Sequence, residues 1–424
     1  MKKPCEYYKK ALIAVAVSLT AQQAAAAGFQ VNAQSATGLG RAFAGDAVIA
    51  DNASVISKNP AAMTMFDSVS LSLGVETITT LIDVKNGQYC GLGCQLGATS
   101  AEDASYDNAG DTSVAPNFYL IVPVDDKFAW GFSAYSNFGT KTEFSNSYEG
   151  YEYGGTTDVK SFNLGLSGAY RLDEQWSLGA GLDLIYGKGK LQRSFSSSIA
   201  AVAGTSTALD VDADGWAAGF NLGVVYEMDT DNRFGFDYHY SPEIKTKGDI
   251  SYAGYPQASG SITDHLPLKL PDFAEFSGYH RLNEDFAVHY SIQWLKWSEF
   301  SQLEADTSGL LKTYNWQDGW HYALGGTYYM NKTWTLRAGY MFDTSAQNDT
   351  RSISVPDSDR HWFSAGVSYH LDEQSTVDFG MTYLLGRDVD VTESTRMSGM
   401  TLSTLDGTTH ADAIMLAIQY SHSF

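Results

Sequence analysis

Residues 412–424 read DAIMLAIQYSHSF, a stretch that alternates between two kinds of side chain without interruption. One set of alternate positions is large and mostly apolar, and it consists of Ile414, Leu416, Ile418, Tyr420, His422 and Phe424. The positions between them are mostly small or polar. A period of two predicts a β-strand with one apolar face. A strand of this kind, closing on an aromatic residue, is typical of an outer-membrane β-barrel, in which lipid lies outside and a polar or plugged lumen lies inside.

The amino terminus has the features of an export signal. Four lysines, at positions 2, 3, 9 and 10, precede an apolar stretch at residues 11–19, and four alanines follow at 24–27. This order predicts a signal peptide over residues 1–26, cleaved after Ala26. The apolar core is too short to cross a membrane as a helix, and Cys5 stands ahead of it, where a lipoprotein cysteine could not lie. The predicted location is the outer membrane of a Gram-negative bacterium, which limits the function mainly to passage, adhesion or surface enzymology.

The composition favours many strands with alternating faces. The chain is 44% hydrophobic and 13% aromatic, with 40 glycines and only 9 prolines, and no run of about 18 apolar residues follows the signal. Removal of residues 1–26 takes away four lysines and one glutamate, so the formal net charge falls from −22 to −25. A chain this acidic is a poor nucleic-acid binder. We expect the acidic surplus on outer loops, where divalent ions could bridge it to lipopolysaccharide.

Alternation with a period of two recurs along the chain and predicts an even number of strands, as bacterial single-chain barrels require. The fourteen predicted strands lie near 69–77, 116–124, 128–138, 162–172, 176–193, 216–228, 234–240, 273–282, 286–297, 320–330, 334–343, 361–371, 377–386 and 412–424.

The connections between the predicted strands alternate in length. Short polar turns such as Asp125-Asp126 and Asn331-Lys332-Thr333 separate hairpins, whereas segments such as 78–115, 194–215 and 241–272 are long. Short periplasmic turns and long outer loops are the expected asymmetry of such a barrel. Trp176 and Trp334 directly follow short turns, at the depth of an inner aromatic girdle. A soluble all-β protein is the alternative, but it would not need the signal, the terminal Phe424 and the loop asymmetry together.

The cysteines and histidines favour neither a metal site nor an enzyme. Cys90 and Cys94 lie in a glycine-rich loop, where an oxidising compartment predicts a local disulfide, and no further metal ligands are apparent nearby. The nine histidines are scattered without a recognisable serine or acid partner. We therefore predict no metal, no cofactor and no catalytic residue.

Residues 27–67, before the first strand, show no clean alternation, and their side chains are mostly small or polar, with several glycines. A barrel of this size encloses space that water or protein must fill. We therefore predict an amino-terminal hatch (27–67) that plugs the lumen of a barrel formed by residues 68–424.

Several motifs resemble the FadL-type long-chain fatty-acid transporters. The resemblance begins at Ala27-Gly28-Phe29-Gln30 and covers essentially the whole mature chain, with the long loops least alike. It includes residues 38–42, 51–53, 141–144, 164–172 and 351–357 and the motif Asn59-Pro60-Ala61. This resemblance implies a fourteen-stranded barrel, a hatch that contains Asn59-Pro60-Ala61, a surface groove, an inner pocket, and lateral release through a gap at a kink in the third strand.

The resemblance also assigns roles to individual residues. Arg193 and Lys312 match basic residues of the inner pocket, and Arg193 shares the parity of the small, polar lumen face of its strand. Phe29 resembles a hatch phenylalanine that touches the ligand. The alternative for the two basic residues is that both are solvated near loops, as most lysines and arginines are.

The third strand and the eleventh strand carry two further candidates. Asn137-Phe138-Gly139 resembles the kink segment of the family, and Gly139 permits bending of the backbone; the alternative is that Gly139 simply begins a loop. Asp343 falls on the lumen parity of the eleventh strand, where an acid could hold the new amino terminus at Ala27.

The resemblance implies uptake of long-chain fatty acids. No energy-coupling signature is visible in the sequence, so we predict passive transport, and we expect a monomer. Carriage of neutral compounds such as monoaromatic hydrocarbons or alkanes is the nearest alternative, and paired basic residues favour an acid. A general diffusion porin would need an open constriction, which an inserted hatch would close. Phage attachment through the long loops is a secondary role that the sequence leaves open.

Overall fold

The computed structural model describes residues 28–32, 34–253 and 261–424. The predicted signal peptide and its cleavage site lie outside the described residues. No helix within the described part of the chain is both long and apolar enough to cross a membrane.

The described residues form a closed antiparallel barrel of fourteen strands, as predicted. Three of its strands, β3, β7 and β8, are each interrupted once. The strands are β1 (Ser70–Cys90), β2 (Thr112–Pro123), β3 (Phe128–Tyr135 and Gly139–Glu143), β4 (Thr156–Arg171), β5 (Trp176–Ser194), β6 (Thr207–Glu227), β7 (Asn232–Tyr240 and Glu243–Tyr252), β8 (Ile262–Lys269 and Phe273–Arg281), β9 (Phe286–Leu295), β10 (Gly319–Tyr329), β11 (Trp334–Asp343), β12 (Arg360–His370), β13 (Ser375–Leu385) and β14 (Met400–Ser423).

Each strand pairs with its sequence neighbours, and β1 pairs with β14 to close the barrel. The closing register runs from Ser70 opposite Ser423 to Cys90 opposite Thr404, with one irregularity after Lys85. The pairing of β1 with β14 leaves no free strand edge at this seam, where an unpaired backbone amide facing hydrocarbon would be costly.

The two faces of the wall differ in chemistry as the alternation predicts. On β5, the outward-facing Leu182 is 71% exposed, whereas its inward neighbour Asp183 is 5% exposed. Trp176 and Trp334 face outward at the periplasmic ends of β5 and β11, where aromatic girdles lie. The exposed apolar face is the surface that contacts lipid.

The outer ends of several strands are much longer than predicted. β1 continues to Cys90, β6 begins at Thr207, and β14 begins at Met400, so parts of the predicted loops 78–115, 194–215 and 241–272 are strands. Above the bilayer neither face of a strand contacts lipid. The outward apolar face therefore ends there, and apolar residues such as Leu209 and Val211 of β6 face inward while the backbone pairing continues.

The remaining outer segments contain short elements. Short helices cover Leu92–Gln95, Ser197–Ala203 and Trp297–Glu299; short strands cover Glu102–Asp103 and Val389–Met397; and a separate hairpin is formed by Gln302–Ala305 and Gly309–Thr313.

The hatch occupies the lumen and consists of three short helices, Ala36–Gly40, Ala53–Ser57 and Pro60–Met65. The side chains of Ser35, Asn52 and Asn59 each accept a hydrogen bond from a backbone N–H at the start of one helix. These caps supply partners for amides that so short a helix leaves unsatisfied. The hatch residues 34–49 are all buried.

Glycines of the wall let the hatch backbone approach closely. A Cβ added at Gly339 would lie 2.1 Å from the carbonyl oxygen of Arg41, and one at Gly366 would lie 2.8 Å from the Cα of Gly40. Both distances are too short for any side chain. The hatch therefore docks against β11 and β12 through its backbone.

An ion network joins the hatch to the wall. Arg41 pairs with Asp46 at 2.9 Å and with Asp51 at 3.0 Å, and Arg337 of β11 reaches Asp51 at 3.1 Å. Each buried charge thus has an opposite charge, which a low-dielectric lumen requires.

Candidate functional site

An apolar cavity lies at the outer end of the lumen. Its empty volume is about 550 Å³, and its wall is formed mainly by Leu191, Val211, Leu266, Leu268, Phe300 and Trp316, with Phe29 of the hatch. Leu191 lies five residues beyond Tyr186, the last aromatic residue on the outward face of β5. The cavity is therefore above the lipid-facing band and close to the extracellular side.

Phe29 stands within a cluster of aromatic rings at this cavity. Its ring centroid is 4.6 Å from that of Trp297, 5.3 Å from that of Phe300 and 5.7 Å from that of Trp316, with edge-on or tilted geometry. Phe29 itself is 3% exposed. The amino-terminal end of the hatch thus supplies one wall of the cavity, and an acyl chain entering there would contact it.

Arg193 lies at the edge of the cavity, near the outer end of β5, on the inward face. Its guanidinium donates to the carbonyl oxygen of Thr156, to the carbonyl oxygen of Gln192 at 2.8 Å and to Oγ1 of Thr157, a cavity residue, at 2.6 Å. No carboxylate of the described residues lies within 4.0 Å of it. Burial lowers the pKa of Arg193 to about 10, which leaves the group positively charged at neutral pH.

Lys312 already has an anionic partner. Its Nζ lies 3.3 Å from a carboxylate oxygen of Glu393, donates to Oγ of Ser352 at 2.8 Å, and stands 5.7 Å from the ring centroid of Tyr314, which lines the cavity. Sequence reasoning found Lys312 but missed Glu393, Ser352 and Tyr314. The one local signal for these partners in the sequence was a pair of aromatic residues, Tyr314 and Trp316, which stand two and four positions after Lys312 in a polar outer segment.

The third strand is interrupted at residues 136–138. Below the interruption, Ala134 pairs with Phe118 of β2; above it, the segment Gly139–Glu143 pairs only with β4 within the described residues. Residues 112–117 of β2 accordingly pair with β1 alone among the described strands. The N–H of Glu143 donates to the carbonyl oxygen of Ala109 at 2.9 Å and closes the top. We call this opening between β2 and β3, from Phe118 to Ala109, the wall window.

The first residues of the hatch lie across the wall window. Gly139 donates its N–H to the carbonyl oxygen of Phe29 at 2.8 Å, and Val31 donates to the carbonyl oxygen of Asn137 at 2.7 Å. Gln30 and Phe138 form an isolated bridge between these bonds. One short segment therefore contacts the cavity through the Phe29 ring and the window through its backbone.

Asn59-Pro60-Ala61 lies away from the cavity, at the far end of the hatch. The side chain of Asn59 donates to the carbonyl oxygens of Ala47 at 2.8 Å and Val224 at 3.0 Å, and it accepts from the N–H of Ala61 at 3.0 Å. The motif thus caps a helix and ties the hatch to β6, which is a structural task.

Asp343 is fully buried at the outer end of β11. It lies 3.3 Å from Nε of Arg360 and 3.2 Å from Nε2 of His321. Ala27 lies outside the described residues, so the predicted contact between Asp343 and the amino terminus stays a prediction.

Cys90 and Cys94 are joined by a disulfide at the outer end of β1. Among residues 28–32, 34–253 and 261–424, no group of three or more His, Cys, Asp or Glu side chains is arranged to hold a metal ion.

The comparisons with known proteins bear on the whole chain. The family model described as outer membrane protein transport protein (OMPP1/FadL/TodX) matches residues 17–424. The chain belongs to this family. A relative from Escherichia coli K12, named long-chain fatty acid transport protein, is 37% identical over 431 aligned residues, covering 91% of this chain and 94% of the relative.

Other members of the OMPP1/FadL/TodX family share the fold and the compartment. Outer membrane protein P1 of Haemophilus influenzae is 34% identical, with 98% of this chain and 99% of the relative covered. A FadL homologue from Pseudomonas aeruginosa superposes with a TM-score of 0.84 at 23% identity, covering 94% and 100% of the two chains. The toluene transporter TbuX from Ralstonia pickettii superposes with a TM-score of 0.66 at 16% identity, covering 93% of this chain and 99% of TbuX. Both structural likenesses show the fold, and the protein is an outer-membrane barrel.

Proposed function

We propose that this protein carries long-chain fatty acids passively across the outer membrane. The carboxylate binds at Arg193, the acyl chain lies in the apolar cavity, and the molecule leaves sideways through the wall window. The observation that carries the proposal is the buried Arg193, which donates to Thr157 of the cavity wall and has no carboxylate within 4.0 Å among the described residues. The name of the 37%-identical relatives supports the same ligand class.

The cavity suits the acyl chain. Burial of one methylene gains about 0.8 kcal/mol, so roughly fourteen methylenes favour an apolar site by about 11 kcal/mol. The residues that line the cavity are mostly apolar, as burial of an acyl chain requires. The lipopolysaccharide leaflet is the polar barrier for such a molecule, and the cavity is placed above the lipid-facing band, where the molecule arrives.

The head group needs a cation inside the protein. A buried carboxylate is stabilised by charge-assisted hydrogen bonds, and the planar guanidinium of Arg193 can donate two in parallel. Lys312 contributes less in this arrangement because Glu393 neutralises it. Arg193 is therefore the principal head-group residue of the proposal, and Lys312 is a secondary one.

The hatch links the cavity to the exit. An acyl chain that displaces the Phe29 ring also moves the backbone that bonds to Gly139 and Asn137. Those bonds hold the segment across the wall window, so their loss opens a route between β2 and β3. A ligand shifts such an equilibrium only through contacts that differ between the two states, and the displaced Phe29 ring supplies that difference.

The protein acts without catalysis or energy coupling in this proposal. The seam between β1 and β14 closes the barrel within one chain, and the unit in this proposal is a monomer. Net flux then follows the consumption of the fatty acid inside the cell.

Binding of oleate and of toluene to the purified protein in detergent tests the proposal. We expect oleate to bind more tightly than toluene, and Arg193→Ala to weaken oleate about tenfold or more while leaving toluene unchanged. Arg396→Ala, at an exposed outer arginine, is the matched control and should change neither. Equal affinities for both ligands in every variant would contradict the carboxylate assignment and favour a carrier of neutral compounds.

A further inference from the structure

A group of lysines lies together on the outer face of one side of the barrel. Seven of the thirteen lysines that follow residue 27 stand on the outward faces of β4, β5, β7 and β8 or directly after β9. These residues, which we call the lysine belt, are Lys160, Lys188, Lys190, Lys245, Lys247, Lys269 and Lys296. In a chain of net charge −22, such a concentration of positive side chains is unexpected.

The belt lies just above the hydrocarbon. On the outward face of β5, Trp176 is the first aromatic residue and Tyr186 the last. The ten residue steps from Trp176 to Tyr186, at about 3.3 Å each and a tilt of about 40°, rise roughly 25 Å, which is the height of the lipid-facing band. Lys188 is the next outward residue after Tyr186 on β5. Lys296, directly after the end of β9, is likewise the next outward residue after Trp294. The belt is therefore at the level of the lipid head groups of the outer leaflet.

The charges within the belt are only partly balanced. Lys160 and Lys188 are directly opposite each other on β4 and β5, and like charges in that position destabilise a sheet. The Nζ of Lys160 lies 3.5 Å from a carboxylate oxygen of Asp158, and the Nζ of Lys188 lies 2.8 Å from a carboxylate oxygen of Asp212.

The other belt lysines differ in their partners. The Nζ of Lys296 forms an ion pair with a carboxylate oxygen of Glu299 at 2.5 Å. Lys190, Lys245, Lys247 and Lys269 have no carboxylate within 4.0 Å among the described residues.

Carboxylates on the same face are set mainly farther from the bilayer. Asp212 and Asp249 face each other one row above the row of Lys188 and Lys247, and Lys190 lies in that upper row between Asp158 and Asp212. Asp214 stands between Lys188 and Lys247, and Glu243 is opposite Lys269 nearer the bilayer. The surface is thus mixed, with its positive charge concentrated toward the membrane.

The opposite side of the barrel carries charges of both signs at this height: Asp359 before β12 and Asp412 of β14 are acidic, whereas Arg387 after β13 is basic. Asp318, before β10, lies beside Lys296 of the belt. Beside the wall window, Lys141 is held by Asp111, and Lys85 pairs with Asp388 at 3.2 Å.

We propose that the lysine belt binds the phosphate groups of lipopolysaccharide in the outer leaflet. Phosphates are the anions present at this level of the membrane, and exposed ammonium groups next to the lipid surface attract them. The belt covers β4 to β9, so bound lipopolysaccharide is fixed on that side. The window between β2 and β3 has no free belt lysine beside it among the described residues, and its lipid neighbours stay exchangeable.

The test compares lipid binding by the full chain. One variant changes Lys190, Lys245, Lys247 and Lys269 to glutamine. The control changes Lys127 and Lys332, which lie in periplasmic turns, to glutamine. Each purified protein is titrated with bisphosphorylated lipid A and with dephosphorylated lipid A, and bound lipid is counted by native mass spectrometry.

We expect wild type and control to retain bisphosphorylated lipid A, and the belt variant to bind it about tenfold or more weakly. Dephosphorylated lipid A should bind all three proteins equally weakly, and millimolar inorganic phosphate should not displace the lipid. Equal retention by wild type and belt variant, or undiminished binding of dephosphorylated lipid A by wild type, would overturn the assignment. Oleate affinity measured in the same samples should be unchanged in the belt variant, so failure here is distinguishable from failure of the proposed transport.

Discussion

Arg193 and Lys312 stand beside residues of the same cavity, yet their surroundings differ. Arg193 is 8% exposed and bonds to neutral oxygens, whereas Lys312 is held by the Glu393 carboxylate. A charge that lacks a counter-charge in a buried place gains most from an anionic ligand. The two basic residues are therefore unequal, although their sequence roles were predicted to be alike.

Glu393→Gln should tighten oleate binding by about threefold to tenfold, because it frees the Lys312 ammonium for the incoming carboxylate. Glutamine keeps the shape of the side chain and can still accept a hydrogen bond from Ser352. Isothermal titration of oleate checks the direction. The gain should disappear when Lys312→Ala is added; a gain that persists in the double variant would show that Lys312 is not responsible.

Gly339→Ala should destabilise the protein by about 1–3 kcal/mol, because its Cβ would overlap the carbonyl oxygen of Arg41 in the docked hatch. Gly326→Ala is the matched control, since the nearest atom to its Cβ would be 3.6 Å away in ordinary contact. Thermal unfolding in the same detergent compares the two. Equal losses of stability would indicate that the hatch does not dock as described.

Alternation alone predicted the inward direction of Arg193, since the pairing of β5 with β6 continues to Ser194 with a single irregularity at its end. No such pattern connects Arg193 to Tyr314 or Glu393. Those residues belong to outer segments far apart in the chain, and they meet only through the fold.

The interruption of β3 is the element on which the proposed exit depends. The sequence offered Asn137-Phe138-Gly139 as a kink, and the structure has Gly139 beginning the second segment of the strand. The kink at this position stays a prediction. The role of the window in release stays a prediction.

Val31→Pro should loosen the hatch segment from the wall window, because it removes the N–H that donates to the carbonyl oxygen of Asn137. The amide of Gly139, bonded to Phe29 in the same bridge, should then exchange with deuterium faster, and bound oleate should dissociate faster. Hydrogen exchange by mass spectrometry gives the readout. Val31→Ala keeps the N–H and is the control; identical exchange in both variants would contradict the coupling.

Strand number was predictable and strand length was not. Within the bilayer, lipid selects an apolar outward face, so β9 and β11 were located almost to the residue. Above the bilayer, β1, β6 and β14 continue with mostly polar outward residues, and apolar residues such as Val84, Val211 and Leu405 face inward instead. The short hatch helices were also missed, since helices of five or six residues carry no helical periodicity.

At the scale of the whole molecule, the hatch should keep the barrel from conducting ions freely. The intact protein should show no large steady conductance in planar bilayers, whereas deletion of residues 28–66 should open a water-filled pore. Heat-dependent gel mobility would first verify that the shortened barrel has folded. A large steady conductance of the intact protein would favour a general diffusion porin.

Collapse of the proton gradient should leave oleate uptake nearly unchanged while acyl activation inside the cell is intact, because the proposed route uses no energy source. Uptake of labelled oleate by cells with and without an uncoupler measures this, with cellular ATP held constant. Abrupt loss of uptake under those conditions would rule out passive carriage.

The seam of the barrel has a consequence for biogenesis. Oγ of Ser70 and Oγ of Ser423 lie 3.1 Å apart although 353 residues separate them in the chain. Contacts so distant in sequence are entropically expensive and form late. A polypeptide cut short before β14 would present two bare strand margins to hydrocarbon, which cannot satisfy their amides. Prematurely terminated chains should thus be degraded in the periplasm instead of persisting in the membrane as incomplete, ion-permeable barrels.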